Sequence, residues 1–188
     1  MRLRELLVLA SIAALAANSV HAANDAAPDT RDRQVLSVAV ADFIGWEGAT
    51  FGKLKGSFGV RVTTTADSNP SASSMRIECP RQTTGVDSPL VTAYFERNQK
   101  SVPVERLIHG LPFLELYSPP AGVQAGPSMP TRFKAVGSVT LPGYSADGTR
   151  ALLTLRHSWS VHAAVITYVL RKQGARWGVL CRNQTVQF

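Results

Sequence analysis

Four stretches in the last third of the chain alternate apolar and polar residues, and they set the expectation for the fold. Phe133 to Leu141, Ala151 to Arg156, Ala163 to Lys172 and Arg176 to Thr185 each read as a β-strand, because strand side chains point to opposite faces with a period of two. The turns between them run from Pro142-Gly143 through Asp147-Gly148, then from His157 to Ser160, then across Gln173-Gly174. Connections this short force antiparallel neighbours. A turn centred on Gln173-Gly174 pairs Leu170 with Trp177, Tyr168 with Val179 and Ile166 with Cys181, which makes one apolar face. The same register sets Arg171 beside Arg176 on the other face, with Val165 opposite Arg182 and Thr167 opposite Leu180.

Upstream the period changes. Asp29 and Thr30 offer N-cap oxygens, and Leu36, Ala39, Val40 and Phe43 then fall on one helical stripe, so Arg31 to Ile44 reads as an amphipathic helix ended by Gly45 and Gly48. Phe58 to Thr64 alternates and suits a strand, and Ala66 to Ser74 suits a surface loop. Ser88-Pro89 resembles an N-cap followed by proline at the first helical position. The helix it opens would carry Leu90, Val91, Tyr94 and Phe95 inward and Glu96, Arg97 and Lys100 outward, with Pro103 as its stop. Leu111 to Pro130 holds five prolines and suits a covering loop or a lid. The expected fold class is α+β: about two helices packed on a four- to five-stranded antiparallel sheet, with a C-terminal β-meander.

The first twenty-two residues follow a different logic. Arg2 and Arg4 precede an apolar run from Leu6 to Ala17, and Val20-His21-Ala22 ends it with small residues where a signal peptidase cuts. Roughly twelve apolar residues cannot span a hydrocarbon core of about 30 Å. The domain expectation is therefore a cleaved signal peptide, 1–22, and a single exported domain, 23–188, periplasmic or secreted. The first cysteine is Cys79, so no lipid-anchor cysteine stands at the cleavage point. In an oxidising compartment Cys79 and Cys181 are expected to form a disulfide. Closing a loop of that length is worth up to about 4.7 kcal/mol by chain entropy. The alternative is two buried thiols.

Charge then changes the picture. The formal net charge is +7. From Asn24 to Pro130, ten Lys and Arg face eleven Asp and Glu, whereas from Thr131 to Phe188 eight basic residues face one acid, Asp147. The whole excess sits in the last third of the chain. Arg171, Arg176, Arg182, Arg156 and Arg150 are the candidate binding residues, and the partner they would attract is an acidic protein or an anionic envelope component such as a phosphorylated glycolipid. A solvated basic face is the competing reading. Nucleic acid is poorly served, because the register puts Tyr168 and Trp177 on the core face.

Catalytic and cofactor patterns are weak. Gly143-Tyr144-Ser145-Ala146-Asp147 approaches a nucleophile elbow, but Asp147 stands where the last glycine belongs, and the segment lies in a turn between strands. His109, His157 and His162 read as surface or turn histidines, and neither a metal site nor a cofactor is expected. Glu47, Glu78, Glu96, Glu105 and Glu115 are scattered.

The run Asp147-Gly148-Thr149-Arg150-Ala151-Leu152-Leu153, then Tyr168-Val169-Leu170-Arg171-Lys172, Gly174 and Trp177, resembles the closing strands of many small exported bacterial proteins of undetermined role. Tyr94-Phe95-Glu96-Arg97-Asn98 is similar to their preceding helix. A hairpin of this kind is also similar to the last strands of NTF2-like domains, which hold ligands or chemistry in a cone-shaped cavity and open with a tighter helical section. The resemblance covers about half of the mature chain, describes a scaffold and implies no functional residue. The expected function is a non-enzymatic periplasmic binding protein that uses its basic C-terminal sheet face, with toxin neutralisation as one specific form. The alternatives are a hydrolase or small-ligand carrier with a cavity under 111–130, and a structural envelope component.

Overall fold

The first helix, α1 (Thr30–Phe51), begins at a reciprocal cap. The Asp29 carboxylate accepts the Asp32 backbone N–H at 2.9 Å, and the Asp32 carboxylate accepts the Asp29 N–H at 3.0 Å. Two donors that a helix leaves open in its first turn are thereby satisfied. The expected stripe is buried: Leu36, Ala39, Val40 and Phe43, joined by Val35, are at most 3 % exposed. Gly45 and Gly48 do not end the helix, contrary to expectation, and it runs on to Phe51. A glycine weakens a helix by only about 1 kcal/mol, which the packing of the buried stripe offsets.

The structure is a computed structural model and describes residues 28–51, 57–61, 63–64, 88–111, 114–118, 133–159 and 162–187. The expected signal peptide, the loop from Ala66 to Ser74, Cys79 and most of the segment from Leu111 to Pro130 lie outside them. Among the described residues no helix is long and apolar enough to cross a membrane.

Two further helices follow, α2 (Ser88–Arg97) and the single turn α3 (Glu105–Ile108). As the sequence predicts, α2 buries Leu90, Val91 and Tyr94 and exposes Glu96. Among the described residues seven strands make one sheet: β1 (Ser57–Arg61), β2 (Leu114–Tyr117), β3 (Phe133–Val139), β4 (Gly143–Tyr144), β5 (Arg150–Trp159), β6 (His162–Gln173) and β7 (Arg176–Gln187). Their order is β2-β1-β3-β5-β6-β7, with β4 paired to β5 off that path.

The α+β class therefore holds, but the sheet is mixed and has seven strands, where an antiparallel one of four or five was expected. The four long C-terminal strands form, and β3, β5, β6 and β7 pair antiparallel. The departure comes from β1, which pairs parallel with both β2 and β3. The chain between β1 and β2 carries α2 and α3, and a crossover of that length permits parallel pairing where a hairpin does not. Strands β2 and β4, with four and two residues, are too short for their alternation to be read.

Helices cover both faces. On one, α1 and α3 pack against Ala151, Leu153 and Leu155 of β5 and Ile166, Tyr168 and Leu170 of β6. On the other, Leu90, Val91 and Tyr94 of α2 pack against Leu152 and Val169, beside Leu180 and Cys181. Strand β4 passes so close to α2 that a methyl group on Gly143 would overlap the backbone of Tyr94, so only glycine fits there.

The β6–β7 hairpin departs from the expected register. Its loop is Gly174-Ala175, with Gly174 at φ 59°, so Gln173 pairs with Arg176, Lys172 with Trp177 and Leu170 with Val179. The pairing then shifts by one residue, and Val169 meets Cys181 while Tyr168 meets Arg182. Such a bulge adds one residue to one strand, and every side chain beyond it changes face. Cys181 thus lies on the α2 face and Arg182 on the α1 face, the reverse of the expected arrangement for both.

Candidate functional site

Three of the five candidate arginines gather at one end of the sheet. Arg150 pairs directly with Arg171 across β5 and β6. The Lys172 N–H bonds the Thr149 carbonyl at 2.7 Å. The next pair along, Arg150 with Arg171, is consequently a non-hydrogen-bonded one, the kind in which Cα atoms approach to about 4.5 Å and side chains lie closest. On its other side Arg171 faces Gly178, where nothing lies within 4 Å of the position a Cβ would take. Arg176 stands two residues before Gly178, on the same face. Arg171 and Arg176 are exposed, and Arg150 is half-buried.

Arg156 and Arg182 do not join them. Arg156 is exposed on the same face as Arg150, but six positions along β5 amount to roughly 20 Å. Arg182, turned over by the bulge, donates to Asp42 of α1 at 2.6 Å, and its guanidinium lies 4.9 Å from the centre of the Trp46 ring. The contact with α1 sets Arg182 apart from the other arginines, at the helix–sheet interface.

The single acid of the C-terminal third is held by its own turn. Asp147 accepts the Ser145 hydroxyl at 2.6 Å, the Thr149 N–H at 3.0 Å and the Thr149 hydroxyl at 2.8 Å. Those bonds, that from Ser145 first, push its carboxyl down to about 2. Ser145 in turn accepts the Arg150 N–H at 2.9 Å. The Ser-Ala-Asp-Gly-Thr segment is thus a self-satisfied turn between β4 and β5, in which the Ser145 hydroxyl donates to the Asp147 carboxylate. Arg31 adds charge at the same end, its guanidinium 3.7 Å above the Tyr144 ring.

His157 corrects another expectation. Strand β5 continues past Arg156, carrying His157 into the core at 3 % exposure with its ring edge-on to Phe43 at 4.9 Å. Burial pushes its pKa down to about 4. His109 is exposed just past α3. Among the described residues no group of three or more His, Cys, Asp or Glu side chains is placed to hold a metal ion.

A buried polar cluster escaped the sequence reading. Arg97, expected to point outward, donates to both oxygens of Asp32 at 2.6 and 2.7 Å and to the Pro142 carbonyl at 2.8 Å. The Tyr144 hydroxyl donates to Asp32 at 2.7 Å. Burial, then the Asp32 charge, push the Tyr144 hydroxyl well above its ordinary range, so it remains a donor. Burial alone would lower the Arg97 pKa, but Asp32 more than offsets that, and the guanidinium stays charged. Next to it, the Asn98 side chain donates to the Tyr94 and Leu141 carbonyls at 2.9 and 2.8 Å and accepts the Leu141 N–H at 2.8 Å. The available signal was spacing: Asp32 stands four before Leu36, on the apolar stripe itself, and Arg97 three after Tyr94.

Comparison with protein-family models, with curated proteins and with solved structures finds no match to this chain.

Proposed function

We propose that the protein is a non-enzymatic binding protein of the periplasm or the secreted space, which engages an anionic partner through the turn end of its β5–β6–β7 meander. The observation that carries this reading is the direct pairing of Arg150 with Arg171 beside exposed Arg176, a cluster in which Asp147, held in its own turn, offsets part of the charge of Arg150. Like charges placed directly opposite each other destabilise a sheet, and an anion bound between them offsets that repulsion. The reading carries with it export by the N-terminal signal and a Cys79–Cys181 bridge; among the described residues no cysteine is free. Toxin neutralisation remains one specific form.

The test is affinity capture from an envelope extract, using mature Ala23–Phe188 and the variant R171E/R176E, each washed at low and high salt. The wild-type chain should retain an anionic partner, and the variant should lose it. Equal capture by both proteins overturns the reading. Both positions are exposed strand residues, so the reversal leaves the core intact. Arg182 is left unchanged because its partner is Asp42.

A further inference from the structure

We infer that this basic end is a seat for a phosphate monoester, with Arg171 and Arg176 as its two forks, Arg150 as the charge beside them and Gly178 as its open floor. The inference rests on the proposed anion-binding role and names the chemistry that role would take.

Three observations converge on one backbone position. Gly178 pairs with Arg171, and the space a side chain would fill there is open. Glycine inside a strand loses packing and weakens it; it occurs beside bulges, such as the one at Leu180, and where another group approaches the backbone, and here it leaves that approach open. Arg176 lies on the same face as Arg171 and diagonal to it across the hairpin, at the roughly 7–8 Å that long side chains bridge. Arg150, on the opposite flank of Arg171, is half-buried and already engaged with its neighbours, so it supplies charge more than a free fork. The next pair along the same face, Leu152 with Val169, is covered by α2. One side of the cluster is therefore apolar, which strengthens charge interactions at that edge.

The number and spacing of the guanidiniums select the anion. A carboxylate carries one charge and two oxygens, which a single arginine satisfies through two parallel bonds. A phosphate monoester carries about 1.5 to 2 charges and three acceptor oxygens. It can take one fork from Arg171 and another from Arg176 while lying in the field of Arg150. An acidic protein surface presents its carboxylates singly and spread apart, a poorer match to three cations around one gap.

The experiment compares vesicles of phosphatidylcholine doped with phosphatidic acid, whose headgroup is a monoester, against vesicles doped with phosphatidylglycerol to equal surface charge. Mature wild-type protein should bind the phosphatidic acid vesicles about tenfold more tightly, because only the monoester offers the oxygens for two forks. R171K/R176K keeps the charge and loses the forks, and should bind both vesicles alike. Inorganic phosphate is titrated in parallel. Binding as tight as to the vesicles assigns the seat to a free phosphate, and tighter vesicle binding assigns it to a lipid headgroup. Equal wild-type binding to the two lipids overturns the monoester seat and leaves the anionic-partner reading standing. Binding to neither vesicle, with an acidic protein captured from the extract, overturns the seat alone. Failure with every anion overturns both.

Discussion

Arg97 and Asp32, sixty-five residues apart in sequence, form a two-pronged ion pair in which the side chains are 1 % and 0 % exposed. The pair ties the last turn of α2 to the first turn of α1, and Tyr144 of β4 completes it. Because Asp32 also closes the helix cap, one carboxylate starts α1 and locks it to the opposite side of the sheet.

Removing one partner strands the other charge. Arg97→Met should cost about 3–5 kcal/mol in urea unfolding, since an uncompensated buried carboxylate remains. Asp32→Leu combined with Arg97→Met removes both charges and should cost less than Arg97→Met alone. A strictly additive double variant would show that the two residues do not act as a pair.

Stability should fall between pH 6.5 and 4 because of His157. Its folded pKa of about 4 lies below the ordinary value of 6.5, so over that window the unfolded chain binds the proton more readily. The contribution is complete above about pH 6.5 and is lost as the pH drops, a loss of up to about 3 kcal/mol by pH 4. His157→Gln should flatten the slope in that window, as read by denaturant midpoints across the pH series.

Asp147 should titrate near 2 in a carboxyl-carbon NMR titration. Its lowered pKa means that the turn is reinforced above the ordinary value of 3.8 and loosens as the pH falls through about 2. Ser145→Ala removes the largest of the causes that lower it and should move the midpoint up toward 3.8.

Arg182 should matter to stability and not to anion binding. Its ion pair with Asp42 is about one-third exposed, so a double-mutant cycle should return roughly 0.2–1 kcal/mol. Arg182→Ala should capture the same partner as the wild-type chain. A loss of capture equal to that of R171E/R176E would return Arg182 to the binding face.

The sequence by itself determined the elements whose cause is local. Periodicity placed the buried stripe of α1 and the inward face of α2, because burying one face of a helix needs only the right residues at 3.6 spacing. Alternation found the four long C-terminal strands, and the short loops made them antiparallel. The charge split singled out the C-terminal arginines as candidates, since charge is a property of composition.

Only the tertiary structure decided how distant segments meet. A bulge of one residue near Leu180 turned Cys181 and Arg182 over, and the local pattern tolerates either register because Arg182, Asn183, Gln184 and Thr185 carry no apolar alternation to forbid it. Parallel pairing of β1 depends on where a long crossover returns, which no window of the sequence contains. Asp32 and Arg97 look like solvent residues until each finds the other, because a charge enters a core only with its partner in place. Local sterics and burial choose elements, whereas register and charge pairing are chosen by the whole packed chain.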